Sequence, residues 1–215
     1  ASGRWVQRFL VGLIVSLTSM SAWASDYTFS LPARQFISGD RLVSASVFHW
    51  YTATGGQLSG PWRPVEGRQN WTGEPDFWAR QIKDIMDANI DLMYVHLIPE
   101  IEEQRINLFD AMYQLRLQGY EVPKAVPFLD PAITWYKTVF PDVATTAGKD
   151  EWVGQYVRYF NQYFSKNADA QADGYLGIMN GRVMLDAWHM EHVVNYSQLT
   201  RADVESRLQA VFGAE

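Results

Sequence analysis

Four short apolar runs of this 215-residue chain each end in side chains able to do chemistry. The first, VFHWYTATGG, closes on His49, Trp50 and Tyr51; the second, LMYVHLI, on His96; the third, VPFLDP, on Asp130; the fourth, VMLDAWH, on Asp186, Trp188 and His189. Imidazoles and carboxylates hold protons and accept hydrogen bonds from hydroxyls, while indole and phenol rings offer flat apolar faces. A sugar ring, with its C–H faces and hydroxyl edges, calls for that combination in a concave site. Asp130 and Asp186 are accordingly the candidate catalytic groups. His49, Trp50, Tyr51, His96, Asp130, Trp188 and His189 are the candidate substrate-binding residues. Trp62, Trp71 and Trp135 also lie beyond strand ends, with Trp62 and Trp71 in a Pro- and Gly-containing loop where packing alone would account for them.

Each of these residues has a purely structural alternative. A histidine at the end of an apolar run can be a buried neutral imidazole bonded to a carbonyl. Asp130, ahead of Pro131, can accept backbone N–H groups in an Asx turn, and Asp186 within an apolar strand must be hydrogen-bonded if buried. Glu100 and Glu103 fall in the first turn of a helix, where the macrodipole explains acids. Asn70-Trp71-Thr72 and Asn195-Tyr196-Ser197 match the glycosylation sequon, a pattern common by chance. His189 and His192 are three apart with no accompanying helical ligand motif, so no metal site is expected.

The elements that must position these groups alternate in one order. LVSASVFHWY is a strand, followed by the helix EPDFWARQIKDIMDAN with Pro75 in its first turn. IDLMYVHLI precedes EIEEQRINLFDAMYQLRLQG, whose stop is Gly119. EVPKAVPFLD, containing prolines, precedes DEWVGQYVRYFNQYF. GRVMLDAWH precedes TRADVESRLQAVF, opened by Thr200. Strand then helix, repeated, means parallel pairing with right-handed crossovers, and strands without clean alternation fit burial on both faces. Gly55, Gly56 and Gly60 lack the spacing of a dinucleotide-binding turn, which favours a (β/α)-barrel type over a doubly wound sheet and leaves no cofactor implied. A barrel needs eight units and only about four are present, so the expectation is an α/β fold forming the N-terminal half of a TIM-like barrel, over residues 43–215. In such a barrel the reaction lies at the C-terminal strand ends, where the groups above are found.

Ahead of that domain, residues 1–24 have the parts of a secretory signal: Arg4 and Arg8, an apolar run from Phe9 to Met20, and Ala22-Trp23-Ala24 before a cleavage point. Residues 25–42 form an N-terminal extension. Export, to the periplasm or outside, without a stable membrane span after cleavage, is therefore expected. The formal net charge of −6 becomes more negative once the two arginines leave, which argues against nucleic acid as a partner. There is no cysteine, so neither a disulfide framework nor a thiolate metal site is available and stability must come from an apolar core.

Residues 43–131, and in particular VFHWYTATGG, GPWRPVEGRQNWTGEPDFWARQIKDIMDANIDLMYVHLI and VPKAVPFLDP, resemble the N-terminal half of glycoside hydrolase family 99-like and family 71-like proteins. The resemblance implies a (β/α)8 barrel acting on α-linked glycans of mannoside or glucan type without an obligatory cofactor. It places His49, Trp50 and Tyr51 in the lining of sugar subsites and Asp130 at a sugar hydroxyl. The late Asn-Glu-Trp-x-Glu-Gly type motif that carries that group's catalytic pair is absent, so the expectation is a glycan-binding chain lacking its catalytic carboxylates, inactive by itself and prone to self-association through open strand edges. A non-catalytic periplasmic or surface carbohydrate-binding module is the alternative. A barrel enzyme of other chemistry, a metal-dependent hydrolase, is a third.

Overall fold

The computed structural model describes residues 36–49, 51, 53, 65–98, 102–135, 138–166 and 175–212. The segment expected to be a secretory signal, Trp50, Trp62 and Glu100 lie outside them. The described chain is α/β, with four parallel strands, β1 (Ser44–Val47), β2 (Leu92–His96), β3 (Lys124–Leu129) and β6 (Asp186–Ala187), adjacent in chain order. Helices α1 (Pro75–Asp87), α2 (Glu102–Leu117), α4 (Thr146–Lys166) and α5 (Arg201–Phe212) follow the four strands, and each packs on the next. A doubly wound sheet reverses its strand order at a switch point. The described strands show no reversal, so the winding is in one direction, with its helices in one layer.

The helix boundaries follow local chemistry. Pro75 opens α1 after Glu74, and Phe77, Trp78 and Ile82 form its buried stripe. Gly119, at φ +87°, takes the left-handed position that ends α2. At α5 the Thr200 hydroxyl accepts the Asp203 N–H at 3.2 Å, and the Asp203 carboxylate accepts the Thr200 N–H at 2.9 Å and its hydroxyl at 2.7 Å, a reciprocal cap. Those bonds and the Lys149 ammonium at 2.8 Å hold the Asp203 carboxyl below the usual carboxylate range, the lysine contributing most. Helix α4 begins earlier than its apolar pattern indicates, because the Thr145 hydroxyl caps it by accepting the Gly148 N–H at 3.0 Å.

Strand register separates two faces. Val47, Val95 and Pro127 lie opposite one another on one face, and Ser46, Tyr94 and Val126 on the other. Val47, Met93, Val95, Leu97, Ala125 and Leu129 join Phe77, Ile82, Leu108, Phe109, Trp152 and Phe160 of the helices in a single core. The face opposite the helices carries, in one row at the C-terminal end, Phe48, His96, Phe128 and Asp186.

The fourth strand departs from expectation. GRVMLDAWH is not one strand: Leu176 bridges Ala125, the chain then leaves the sheet as the antiparallel hairpin β4 (Ile178–Met179) and β5 (Arg182–Val183), and it returns as β6 beside Phe128 and Leu129. Pro127 explains the gap. The Ala125 N–H donates to the Tyr175 carbonyl at 2.6 Å and its carbonyl accepts from Gly177 N–H at 2.9 Å, so the next group to face that edge would be the N–H of residue 127. Proline has none. The Gly177 carbonyl instead accepts from Met184 N–H, at 2.8 Å, inside the excursion. Asn180 and Gly181, at φ 50° and 74°, make the hairpin's tight turn, and Phe36 and Ser38 bond to it.

Candidate functional site

At the C-terminal ends of the four parallel strands the rings form a continuous ribbon. Tyr51 meets Phe48 edge-on with centroids 5.8 Å apart; Phe48 lies 4.7 Å from His96, His96 4.3 Å from Phe128, and Phe128 6.1 Å from Trp188. Beyond the sheet it continues from Trp188 to His189 (5.1 Å), His192 (5.7 Å) and Phe140 (5.5 Å, stacked). His96 and Phe128 lie side by side because parallel pairing in register places equivalent residues together on one face; on β6 that position is Asp186, and the ring comes from Trp188 two residues further along.

The candidates from the sequence fall into different environments along this ribbon. Trp188 is 56% exposed and Tyr51 36%, both open to solvent. His96 is buried between Phe48 and Phe128, and burial pushes its imidazole down to about 4, so it is neutral at physiological pH. His49, in the turn after β1, is 0% exposed and presents no surface. Trp135 also belongs to the interior, stacked on Trp152 at 5.8 Å with its indole N–H donating to the Glu151 carboxylate at 2.7 Å. Trp71 packs against Phe77. Trp50 lies outside the described residues.

Two carboxylates flank the ribbon on neighbouring strands. Asp130 ends β3 and caps the short helix α3 (Pro131–Thr134), its Oδ1 accepting the Ala132 N–H at 3.0 Å. The same oxygen lies 3.4 Å from His189 Nδ1. That nitrogen is buried while the side chain as a whole is 39% exposed, so the open part of the ring lies away from the carboxylate. His189 is held there with φ 50°, an unusual backbone for a residue with a side chain, and Trp188 is fixed by its N–H donating to the Leu129 carbonyl at 2.9 Å. Asp186 stands in the row with Phe128, and its Oδ1 accepts the Ala187 N–H at 2.9 Å. Burial raises the Asp186 carboxyl and that N–H opposes the rise. From below, the Tyr156 hydroxyl donates to the Asp186 carbonyl at 2.9 Å and ties β6 to α4.

The strand ends therefore bring together Tyr51, His96, Asp130, Asp186, Trp188 and His189, through two rings that the sequence analysis passed over as ordinary strand residues, Phe48 and Phe128. The signal was available: each is the aromatic at the same depth in its strand. A third missed residue is Arg105 of α2, buried at 2% exposure, which donates from Nη1 to the His96 carbonyl at 3.3 Å and from Nε to Gln162 of α4 at 3.0 Å, fixing the end of β2 to two helices. Among the described residues no three His, Asp or Glu side chains gather as a metal would require, and no helix is long and apolar enough to cross a membrane. Chemically, the rim offers apolar ring faces at two exposed ends, a buried carboxylate beside an imidazole, and a second carboxylate whose proton affinity burial raises. No family model, characterised protein or solved structure matches this chain.

Proposed function

We propose that this chain is the glycan-binding, N-terminal half of an exported glycoside hydrolase-like protein of (β/α)8-barrel type, taking α-linked mannosides or glucans at the C-terminal rim of its parallel strands. The observation that carries the reading is the ring ribbon across all four strand ends, exposed at Tyr51 and Trp188 and flanked by Asp130 and Asp186. Exposed aromatics fixed at strand ends lose little freedom on stacking against a sugar face, and nearby carboxylates accept its hydroxyls. One-directional winding with α1, α2, α4 and α5 in one layer is the arrangement that a closing barrel continues, and the ribbon's face would then turn inward.

A second reading, a non-catalytic carbohydrate-binding module, is favoured by one specific feature: both rim carboxylates already accept a backbone N–H, and Asp130 also faces His189. Hydrolysis across a glycosidic bond needs two carboxyl groups in different protonation states. Burial shifts the Asp186 carboxyl upward, the direction in which a general acid is tuned, and the Ala187 N–H opposes that shift. Calorimetric titration with α-linked manno- and gluco-oligosaccharides tests the binding that both readings share: saturable binding is expected, strongly weakened by Trp188→Ala with the melting temperature nearly unchanged. Absence of binding to every sugar offered, or loss of fold together with binding, would reject it. Product analysis on the same sugars with a full-length protein carrying the later strands separates the two readings, since the binding module releases no reducing ends.

A further inference from the structure

We infer that the rim takes a linear oligosaccharide spanning two separate ring platforms, not a single sugar, an inference that rests on the carbohydrate reading above. The ribbon is continuous in ring contacts but not in exposure. Its β1 end, Phe48 and Tyr51, is open to solvent; its β6 end, Trp188 with His189 and His192, is open as well; the pair between them, His96 and Phe128, is buried. A ligand that stacks on the ribbon can reach only its ends. Three ring-to-ring steps, of 4.7, 4.3 and 6.1 Å, separate Phe48 from Trp188, more than one pyranose ring can bridge in a single stacking contact.

The hydrogen-bonding groups are placed unevenly too. Asp186 and the open part of His189 lie at the β3 and β6 side of the rim, beside Trp188, while Asp130, its side chain only 8% exposed, lies against His189. Among the described residues, the β1 platform offers Phe48 and Tyr51, rings with one phenol between them. The Trp188 platform is thus the anchoring subsite, where stacking and hydroxyl recognition coincide, and the Tyr51 platform is an outlying subsite that adds chiefly ring stacking. Two linked stacking events on one ligand raise affinity through effective concentration without any new contact, provided the ligand is long enough to reach both.

The experiment is a length series. One α-linked homo-oligosaccharide, from monosaccharide to pentasaccharide, is titrated calorimetrically into the wild-type chain, Trp188→Ala and Tyr51→Ala. The expected result is weak binding of the monosaccharide, a rise of about tenfold or more at the first length that reaches both platforms, and a plateau beyond it. Tyr51→Ala removes the rise and leaves monosaccharide binding as it was; Trp188→Ala weakens every length. A monosaccharide bound as tightly as the pentasaccharide, or Tyr51→Ala weakening all lengths by one factor, would overturn the two-platform inference while leaving carbohydrate binding intact. Failure of every length to bind would overturn the carbohydrate reading itself, and this inference with it.

Discussion

On the helix-covered face of the sheet, Val47, Met93, Val95, Ala125 and Leu129 meet the apolar stripes of α1, α2 and α4; on the other, the same strands present Ser44, Ser46, Tyr94, His96, Phe128 and Asp186. Alternation along each strand makes the faces chemically independent although they share a backbone. The first has the composition of an interior and nothing else. The second mixes hydroxyls, an imidazole, a carboxylate and rings at depths where packing alone would favour aliphatic side chains, and its upper row leads into the exposed Trp188. One face holds the fold together, and the other carries the groups on which the carbohydrate proposal rests.

If that division is right, the largest loss of stability comes from the first face. Phe109 is completely buried and meets Tyr159 edge-on at 5.1 Å. Phe109→Ala should cost about 3–5 kcal/mol, the sum of lost transfer energy and the cavity left behind, measured by denaturant unfolding. A cost near that of a surface substitution would mean that the helix layer is not the principal core.

The same division explains what the sequence made legible. Strand–helix alternation, Pro75, Gly119 and Thr200 were all readable because each is a local rule: apolar period, first-turn proline, left-handed stop, cap. The split of the fourth strand was not read, although Asn180-Gly181 between Ile178-Met179 and Arg182-Val183 is a strong hairpin signal. Its cause is non-local. Pro127 withholds an N–H from a strand fifty residues later in the chain, and only the sheet order shows which edge that N–H would have served. At the rim, residue types such as Trp188 and Asp130 were recognisable, but exposure was not: His49 and His96 have the same sequence signature as His189, and burial alone separates them.

The buried histidine gives the second-largest effect, seen as pH dependence. His96 titrates near 4 in the fold because burial disfavours its charged form, against about 6.5 when unfolded. The unfolded chain therefore binds more protons between those values, so this contribution is fully present above pH 6.5 and is lost as the pH falls toward 4. The loss is on the order of 3 kcal/mol at the lower limit. Unfolding free energies at pH 7, 5.5 and 4.5 should fall accordingly, and His96→Asn should flatten the slope. An unchanged slope in the variant would place His96 in solvent contact and remove the buried centre of the ribbon.

A smaller effect probes how the lower half of the helix-free face is filled. Gly177 begins the hairpin excursion and lies against Val126 and Leu92; a Cβ there would stand 2.7 Å from Val126 Cγ2 and 3.4 Å from Leu92 Cδ2. Gly177→Ala should cost about 1–3 kcal/mol through overpacking. A neutral result would mean that the hairpin rests loosely on the sheet and that this face is open along its whole length.

Trp188 should give the smallest change in stability and the most informative one. Its ring touches Phe128 and His189 but is more than half exposed, so Trp188→Ala should cost no more than about 1 kcal/mol, the worth of an exposed aromatic contact. Its backbone N–H, which bonds to the Leu129 carbonyl, survives the substitution and keeps β6 attached to β3. A loss that small at an exposed indole held by main-chain bonds is what the carbohydrate proposal requires of its anchoring ring. If the variant instead unfolded with a loss like that of Phe109→Ala, Trp188 would belong with the packing residues, and the contrast between the two faces would disappear at its most exposed point.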